Sequence, residues 1–318
     1  MSLHILGTGS YVPPLVVTND DLSKYVDTND EWIVSRTGIH QRHISVDETA
    51  TDMAAKAAFA ALENSGVKAE ELDLILCATV SGDNLCPNLA CMVQATIGAT
   101  CPAFDLSGAC SAFLFLLETA AAYLSTGRYH KILCVGSEQM SRILDWNDRS
   151  TCILFGDGAA GVVVEQGEDY LGSQLMVRGG DEVLKVPTPI GNSPFTKLEP
   201  THPYVYMNGS ETYKFATRTV PAQIQQLLEK TGVEQEQVDW VICHQANRRI
   251  IEAAARRLKG IPLEKFLMNI DEYGNTSAAS IPLLLDECNR KGILKRGDLI
   301  VLAAFGGGLS CVATLIRW

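Results

Sequence analysis

Leu72-Asp73-Leu74-Ile75-Leu76-Cys77 returns 166 residues later as Val238-Asp239-Trp240-Val241-Ile242-Cys243, and the preceding Leu62-Glu63-Asn64-Ser65-Gly66-Val67 returns at the same distance as Leu228-Glu229-Lys230-Thr231-Gly232-Val233. Further on, Asp105 falls opposite Asp271 and Gly108 opposite Gly274, which sets Cys110 against Thr276 and His244 against Ala78. A period of this length is too long for a solenoid. It implies two similar halves, residues 1–166 and 167–318, packed face to face. Reactive groups are expected where the copies diverge.

Between the repeats the chain alternates two patterns. Near-continuous apolar runs at Leu74 to Ala78, Lys131 to Gly136, Val162 to Glu165, Trp240 to His244 and Leu299 to Ala304 read as strands covered on both faces. Helical patterns span Asp52 to Asn64, Ser111 to Ser125 (closed by Gly127), Tyr213 to Thr231, and Arg248 to Leu258. The alternation predicts an α/β fold. Pro221 is expected to kink the third helix or mark its start. The stretch Gly167 to Pro203, with Thr188-Pro-Ile-Gly-Asn-Ser-Pro194, reads as the loop that joins the copies.

Composition narrows the function. With 318 residues, 47% hydrophobic and 20% charged, the chain can bury one large core or two fused ones and is too apolar for disorder. A net charge of -11 argues against nucleic acid, whose binding needs cationic side chains for the phosphates. No run of about 18 uncharged apolar residues suggests a membrane span, and Met1-Ser2-Leu3-His4-Ile5-Leu6-Gly7 lacks the basic start of a signal peptide, so a cytoplasmic protein is expected. Ten cysteines without a Cys-x-x-Cys pair fit reduced, mostly buried thiols better than disulfides or zinc ligands. No metal is expected.

Two side chains stand where chemistry is done. Ala103-Phe104-Asp105-Leu106 reads as a strand end, Ser107-Gly108-Ala109 as a tight turn, and Cys110 opens the apolar helix. A helix N-terminus favours the thiolate and lowers the thiol pKa from about 8.5, which makes Cys110 the candidate nucleophile among ten cysteines. His244 ends an apolar strand where ligands of α/β folds bind, and polar Gln245-Ala246-Asn247 follows at once. If the halves are related by an approximate two-fold, the turns after Gly108 and Gly274 meet near its axis. Cys110 then lies beside Asn275 and Thr276. Taken singly, Asn275 is explained as a helix cap. Gly306-Gly307-Gly308 is either a simple turn or a place where backbone N–H groups approach a substrate. Gly156-Asp157-Gly158 lacks the spacing of a phosphate loop and reads as a turn between strands without chemistry.

Taken together, Gly-Ala-Cys110-Ser-Ala-Phe, His244-Gln-Ala-Asn, Gly274-Asn275-Thr-Ser-Ala-Ala-Ser and Ala304-Phe305-Gly-Gly-Gly308, with Asp30-Glu31-Trp32-Ile33-Val34-Ser35-Arg36-Thr37-Gly38-Ile39, resemble β-ketoacyl-acyl-carrier-protein synthase III along essentially the whole chain. The resemblance implies the thiolase fold, a duplicated five-layered αβαβα architecture, usually as a homodimer. It implies a catalytic triad of Cys110, His244 and Asn275, an oxyanion site at the backbone of Cys110 and Gly307, and coenzyme A binding by Trp32, Arg36 and Arg149. Arg149 is followed by Ser150 where the family often has glycine. Lys214, Arg249 and Arg256 match positions that dock the acidic acyl carrier protein. Cys86 matches a position, often phenylalanine or threonine in the family, that floors the partner's acyl pocket. A thiol there leaves room for longer or branched acyl groups.

The implied reaction is decarboxylative. Cys110 takes the acyl group from an acyl-CoA, and malonyl-acyl carrier protein loses carbon dioxide at His244 and Asn275 to give the attacking carbanion. Coenzyme A enters as the substrate's carrier, and no cofactor is implied. Asn275 separates the chain from elongating synthases with a second histidine, and Ala78-Thr79-Val80 lacks the glutamate of a hydroxymethylglutaryl-CoA synthase type. The rival readings are a specialised acyltransferase or condensing enzyme of secondary metabolism with the same triad and, further off, a non-catalytic scaffold paralogue.

Overall fold

The computed structural model describes residues 2–188, 194–195, 199, 201–202 and 204–318. Two five-stranded sheets repeat one plan. In the first, Ser2–Tyr11, Gly158–Gly167, Lys131–Glu138, Leu74–Ala78 and Ala103–Asp105 lie side by side in that order. In the second, the order is Tyr170–Val177, Ser310–Arg317, Leu299–Gly306, Trp240–Cys243 and Phe266–Leu267. Each sheet is antiparallel over its first three strands and parallel over its last three.

Strand periodicity builds the layers. Leu74, Leu76 and Ala78 face an inner core shared with the helices Ala112–Ser125 and Ser280–Arg290 and with Ile300, Leu302 and Ala304 of the second sheet. Ile75 and Cys77 point the other way, onto helices Ala50–Ser65 and Leu89–Ile97. On the far face of the second sheet, Val241, Cys243, Val301 and Ala303 meet helices Gly209–Thr231 and Arg248–Arg257. The result is the five-layered duplicated thiolase fold. Leu114, Leu116, Leu117, Ala120 and Leu124 are all buried, because the central helix is walled by a sheet on either side.

Several expectations change in detail. Gly209–Thr231 is one helix that includes Pro221: it already begins at the Asn208 cap, whose Oδ1 accepts from Glu211 N, so the proline does not mark its start, and Pro221 is buried. Within the stretch read as a loop, Tyr170–Val177 is the edge strand of the second sheet, half-buried on one side only and therefore weakly patterned. Of the Thr188 to Pro194 run, residues 189–193 lie outside the described residues. All ten cysteines are free and seven are buried. Among the described residues, no helix is long and apolar enough to cross a membrane.

The repeat also slips. Its 166-residue register holds at the strands Leu74–Ala78 and Trp240–Cys243, but the turns Ala109–Ser111 and Ser277–Ala279 and the strand starts Lys131 and Leu299 are 168 apart. Cys110 is thus the counterpart of Ala278 rather than Thr276. Matching Asp105 to Asp271 misled the alignment. Asp105 ends a strand and accepts from the backbone N–H groups of Leu89 and Ala90, whereas Asp271 sits in the short helix Ile270–Tyr273.

Candidate active site

Cys110 sits in a one-turn 3-10 segment, Ala109–Ser111, at the mouth of the central helix. The turn is tight: Ala109 has φ 48°, in the left-handed region, and a Cβ on Gly108 would stand 2.9 Å from the Phe115 ring. Such backbones persist only where packing over-determines them, and they cluster at active sites. Across the interface between the halves, Cys110 Sγ donates to Ser277 Oγ at 3.4 Å. The expected thiolate is not what this setting favours. Burial pushes the Cys110 thiol up to about 12, the Ser277 contact opposes this, and nearby Glu138 adds to the rise. Attack by this sulfur therefore requires somewhere for its proton to go.

His244 follows the strand Trp240–Cys243, its backbone N–H donating to Ala303 O at 2.7 Å. The ring is 2% exposed, meets Phe305 edge-on at 5.4 Å, and has Nδ1 2.6 Å from Ser280 Oγ. Burial holds its pKa down at about 3, so His244 is neutral at neutral pH. Gln245 braces the segment by donating to Cys243 O and accepting from Asn269 N.

Asn275 is placed by a strand-like bridge to Phe155. Its N–H donates to Leu154 O at 2.9 Å, and its carbonyl accepts from Gly156 N at 3.1 Å. Its Oδ1 accepts from Ser277 N at 2.8 Å, which leaves the side-chain NH2 as the free donor. This gives Gly156-Asp157-Gly158 a part beyond a turn. A Cβ on Gly156 would lie 2.4 Å from Tyr273 O, so only glycine lets this segment approach the Asn275 loop. Fully buried Asp157 accepts from Ser45 N and from Ser141 N and Oγ, anchoring it.

These elements enclose a cavity of about 520 Å³ lined by Cys110, His244, Asn275, Ser277, Phe305 and the backbone of Gly306 to Gly308, with Leu184, Val186, Val205 and Met207 opposite. Gly306 touches the turn that carries Cys110: a Cβ there would sit 2.9 Å from Cys110 N. Gly307 stands beside it on the same wall. Among the described residues, no cluster of His, Cys, Asp or Glu could hold a metal ion.

The remaining sequence candidates fall into separate groups. Trp32 lies on helix Asp30–Thr37 between two guanidinium groups, Arg149 at 4.9 Å and Arg36 at 5.6 Å from its ring centre, and Arg149 Nη1 donates to Asp27 O. Asn247 ties this helix to the His244 segment by donating to Arg36 O. Lys214 and Arg249 stand on two packed helices, Arg249 lying 5.5 Å over the ring of Tyr213. Arg256 lies seven residues further along the same face of its helix and pairs with Glu252, while Lys214 pairs with Glu211. Cys86 is exposed, beside an 82% exposed Leu85, and does not line the cavity of its own chain.

Four groups at the site had no role in the sequence reading: Ser277, Ser280, Phe305 and Glu138. Three sit inside the motifs quoted for Asn275 and the glycines. The fourth carried a signal of its own, a carboxylate two residues beyond the apolar run that ends at Gly136.

The chain matches the family models described as 3-Oxoacyl-[acyl-carrier-protein (ACP)] synthase III over residues 104–179 and as that family's C-terminal region over residues 228–318. It is 47% identical to a β-ketoacyl-[acyl-carrier-protein] synthase III of Clostridium acetobutylicum, covering 100% of this chain and 99% of that protein. The crystal structure of 3-oxoacyl-[acyl-carrier-protein] synthase III from Aquifex aeolicus superposes with TM-score 0.93 at 45% identity, covering 99% of this chain and 100% of that one. A priming β-ketosynthase from the R1128 polyketide pathway superposes with TM-score 0.92 at 32% identity, covering 99% and 96%.

Proposed function

The chain belongs to the 3-oxoacyl-[acyl-carrier-protein] synthase III family, condensing acyltransferases that initiate fatty acid synthesis, and on that premise we propose how its cavity divides the reaction. The observation that carries the division is that Cys110, His244 and Asn275, far apart in sequence, line one cavity with a bare glycine backbone.

In the first half-reaction Cys110 Sγ attacks the carbonyl of an acyl-CoA. The oxyanion is held by the N–H groups of Cys110 and Gly307, each such donor contributing about 3 kcal/mol. Coenzyme A leaves and the acyl group remains on sulfur. In the second, malonyl-acyl carrier protein places its thioester oxygen between His244 Nε2–H and Asn275 Nδ2–H. Carbon dioxide departs, the enolate is stabilised, and its carbon attacks the acyl-cysteine. Two features support neutral donors here. Burial keeps His244 uncharged, and in the tautomer where the Ser280 hydroxyl, 2.6 Å away, donates to Nδ1 the ring proton is on Nε2. Asn275 has its oxygen already committed to Ser277 N.

Outside the cavity, Trp32 with Arg36 and Arg149 offers an aromatic face and two cations for the nucleotide end of coenzyme A. Lys214, Arg249 and Arg256 offer cations to an acidic carrier protein on a chain of net charge -11. The functional unit is a cytoplasmic homodimer in which Cys86 of one copy floors the acyl pocket of the other, each copy formed of halves 1–166 and 167–318. Coenzyme A arrives as part of the substrate, and no resident cofactor takes part.

The test is direct. Purified protein with an acyl-CoA shows one adduct, on the peptide holding Cys110. Added malonyl-acyl carrier protein then discharges it, with one carbon dioxide released per 3-ketoacyl carrier formed. Adducts elsewhere, or transfer without carbon dioxide, would refute the assignment.

A further inference from the structure

A fully buried carboxyl group touches the site and has no part in the chemistry above. Glu138 ends the strand Lys131–Glu138. Its Oε2 accepts from Ser81 Oγ at 2.5 Å, Val80 N at 3.1 Å and Thr79 Oγ1 at 3.3 Å, and its Oε1 accepts from Ser277 Oγ at 3.0 Å. None of these partners is a cation. Ser277 is also the residue that receives the Cys110 thiol, at 3.4 Å. A directed chain therefore runs from Sγ–H through a hydroxyl to a carboxylate. Ser277 is held in it by a left-handed backbone, φ 49°, and by its N–H donating to Asn275 Oδ1.

We propose that Ser277 and Glu138 are the proton exit for Cys110 during acylation. As Sγ bonds to the acyl carbon, the thiol proton passes to Ser277 Oγ and the Ser277 hydroxyl proton passes to Glu138 Oε1. When the bond from the acyl carbon to the coenzyme A sulfur breaks, Ser277 gives its proton to the leaving thiolate and recovers one from Glu138. One thiol proton is exchanged for another, and nothing is oxidised or reduced. Ser277 touches the reacting sulfur and is catalytic, whereas Glu138 acts through it as a positioning residue. The inference rests on the acyl-cysteine reading.

The environment suits the task. Burial raises the Glu138 carboxyl, although four donors pull it down. Desolvation raises the half-buried Cys110 thiol, so its proton is held more tightly than in water. The other titratable groups on the cavity wall are His244, neutral and engaged with Ser280, and Asp181 with Lys185, which pair with each other at 2.9 Å. With a separate exit for the thiol proton, His244 stays a hydrogen-bond donor through both half-reactions.

The experiment separates the half-reactions. Single-turnover acylation of Cys110 by an acyl-CoA is followed by intact mass in wild type, Glu138→Gln, Glu138→Asp and Ser277→Ala. Carbon dioxide release is then measured on each enzyme after long pre-acylation. Acylation is expected to slow about 100-fold in Glu138→Gln and Ser277→Ala, to recover in part in Glu138→Asp, and carbon dioxide release to stay within about threefold. In mixed H2O and D2O, wild-type acylation is expected to give a bowed proton inventory for two moving protons, and Ser277→Ala a linear one. Wild-type acylation rates in Glu138→Gln overturn the relay, as does an equal loss in both half-reactions with no recovery in Glu138→Asp. Failure of wild type to form acyl-Cys110 at all overturns the reading of the site, and the relay with it.

Discussion

The turns at Ala109–Ser111 and Ser277–Ala279 are the same piece of backbone used twice. Each opens with a left-handed residue, Ala109 at 48° and Ser277 at 49°, and each feeds a helix running between the two sheets. Each is also met by a strand from the opposite half, Leu299–Gly306 at the first turn and Lys131–Glu138 at the second. The side chains differ. The first turn carries the thiol and is met by a glycine; the second carries a hydroxyl and is met by a buried carboxylate. The two turns share a left-handed backbone, and their side chains set a thiol in one beside a hydroxyl in the other.

Moving the thiol is the severest test of that asymmetry. Cys110→Ala is expected to remove all acyl-enzyme and reduce condensation to background. Adding Ala278→Cys, the structural counterpart, is expected to restore nothing, because Ala278 is buried with its carbonyl against Gly136. An adduct on residue 278 by peptide mass would make the two turns interchangeable.

Next in size are the donors of the second half. His244→Ala or Asn275→Ala is expected to lower carbon dioxide release about 100- to 1000-fold while acylation changes only severalfold. The pH profile sharpens this. Because burial moves His244 from 6.5 down to about 3, the carbon dioxide step of pre-acylated enzyme is expected to show no acid limb near 6.5. The sign for stability follows. The unfolded chain protonates this histidine below 6.5 and the folded chain does not, so stability is lost progressively as pH falls from 6.5 toward about 3. Urea unfolding of His244→Gln is expected to show a shallower loss over that window.

Glycine contacts make a matched pair. A Cβ on Gly306 meets Cys110 N at 2.9 Å, and one on Gly136 meets Ala278 O at 2.7 Å. Either alanine is expected to cost roughly 1–3 kcal/mol in denaturant unfolding. Only Gly306→Ala shifts the nucleophile, so only it is expected to lower the acylation rate of the folded enzyme more than twofold. Equal kinetic losses would mean that the turns are mechanically coupled.

The smallest effect is expected at the rim. Arg249→Glu is predicted to raise KM for malonyl-acyl carrier protein roughly 5- to 10-fold and leave that for acyl-CoA unchanged. An unchanged carrier KM would reduce the Arg249 patch to a solvated helix flank.

Much of this was legible in the chain. The apolar runs at Leu74 and Trp240 announced strands covered on both faces, and their shared surroundings announced the duplication. Cys110 and His244 stood out by their places at element ends, Asn275 read singly as a helix cap, and the family motifs joined the three. Less visible was Tyr170–Val177, an edge strand wetted on one face and so without a continuous apolar run. The two-residue slip of the repeat was hidden as well, since self-similarity is scored on residue types while the turn is specified by φ.

By itself, then, the sequence determined the layers and their doubling, because helix and strand periodicity and side-chain polarity are local properties written along the chain. Only the tertiary structure decided the state of the site. Glu138 and Ser277 are 139 residues apart and become partners because the ends of two half-domains meet. The same meeting buries His244 and half-buries Cys110, and the water they lose keeps the histidine neutral and raises the thiol.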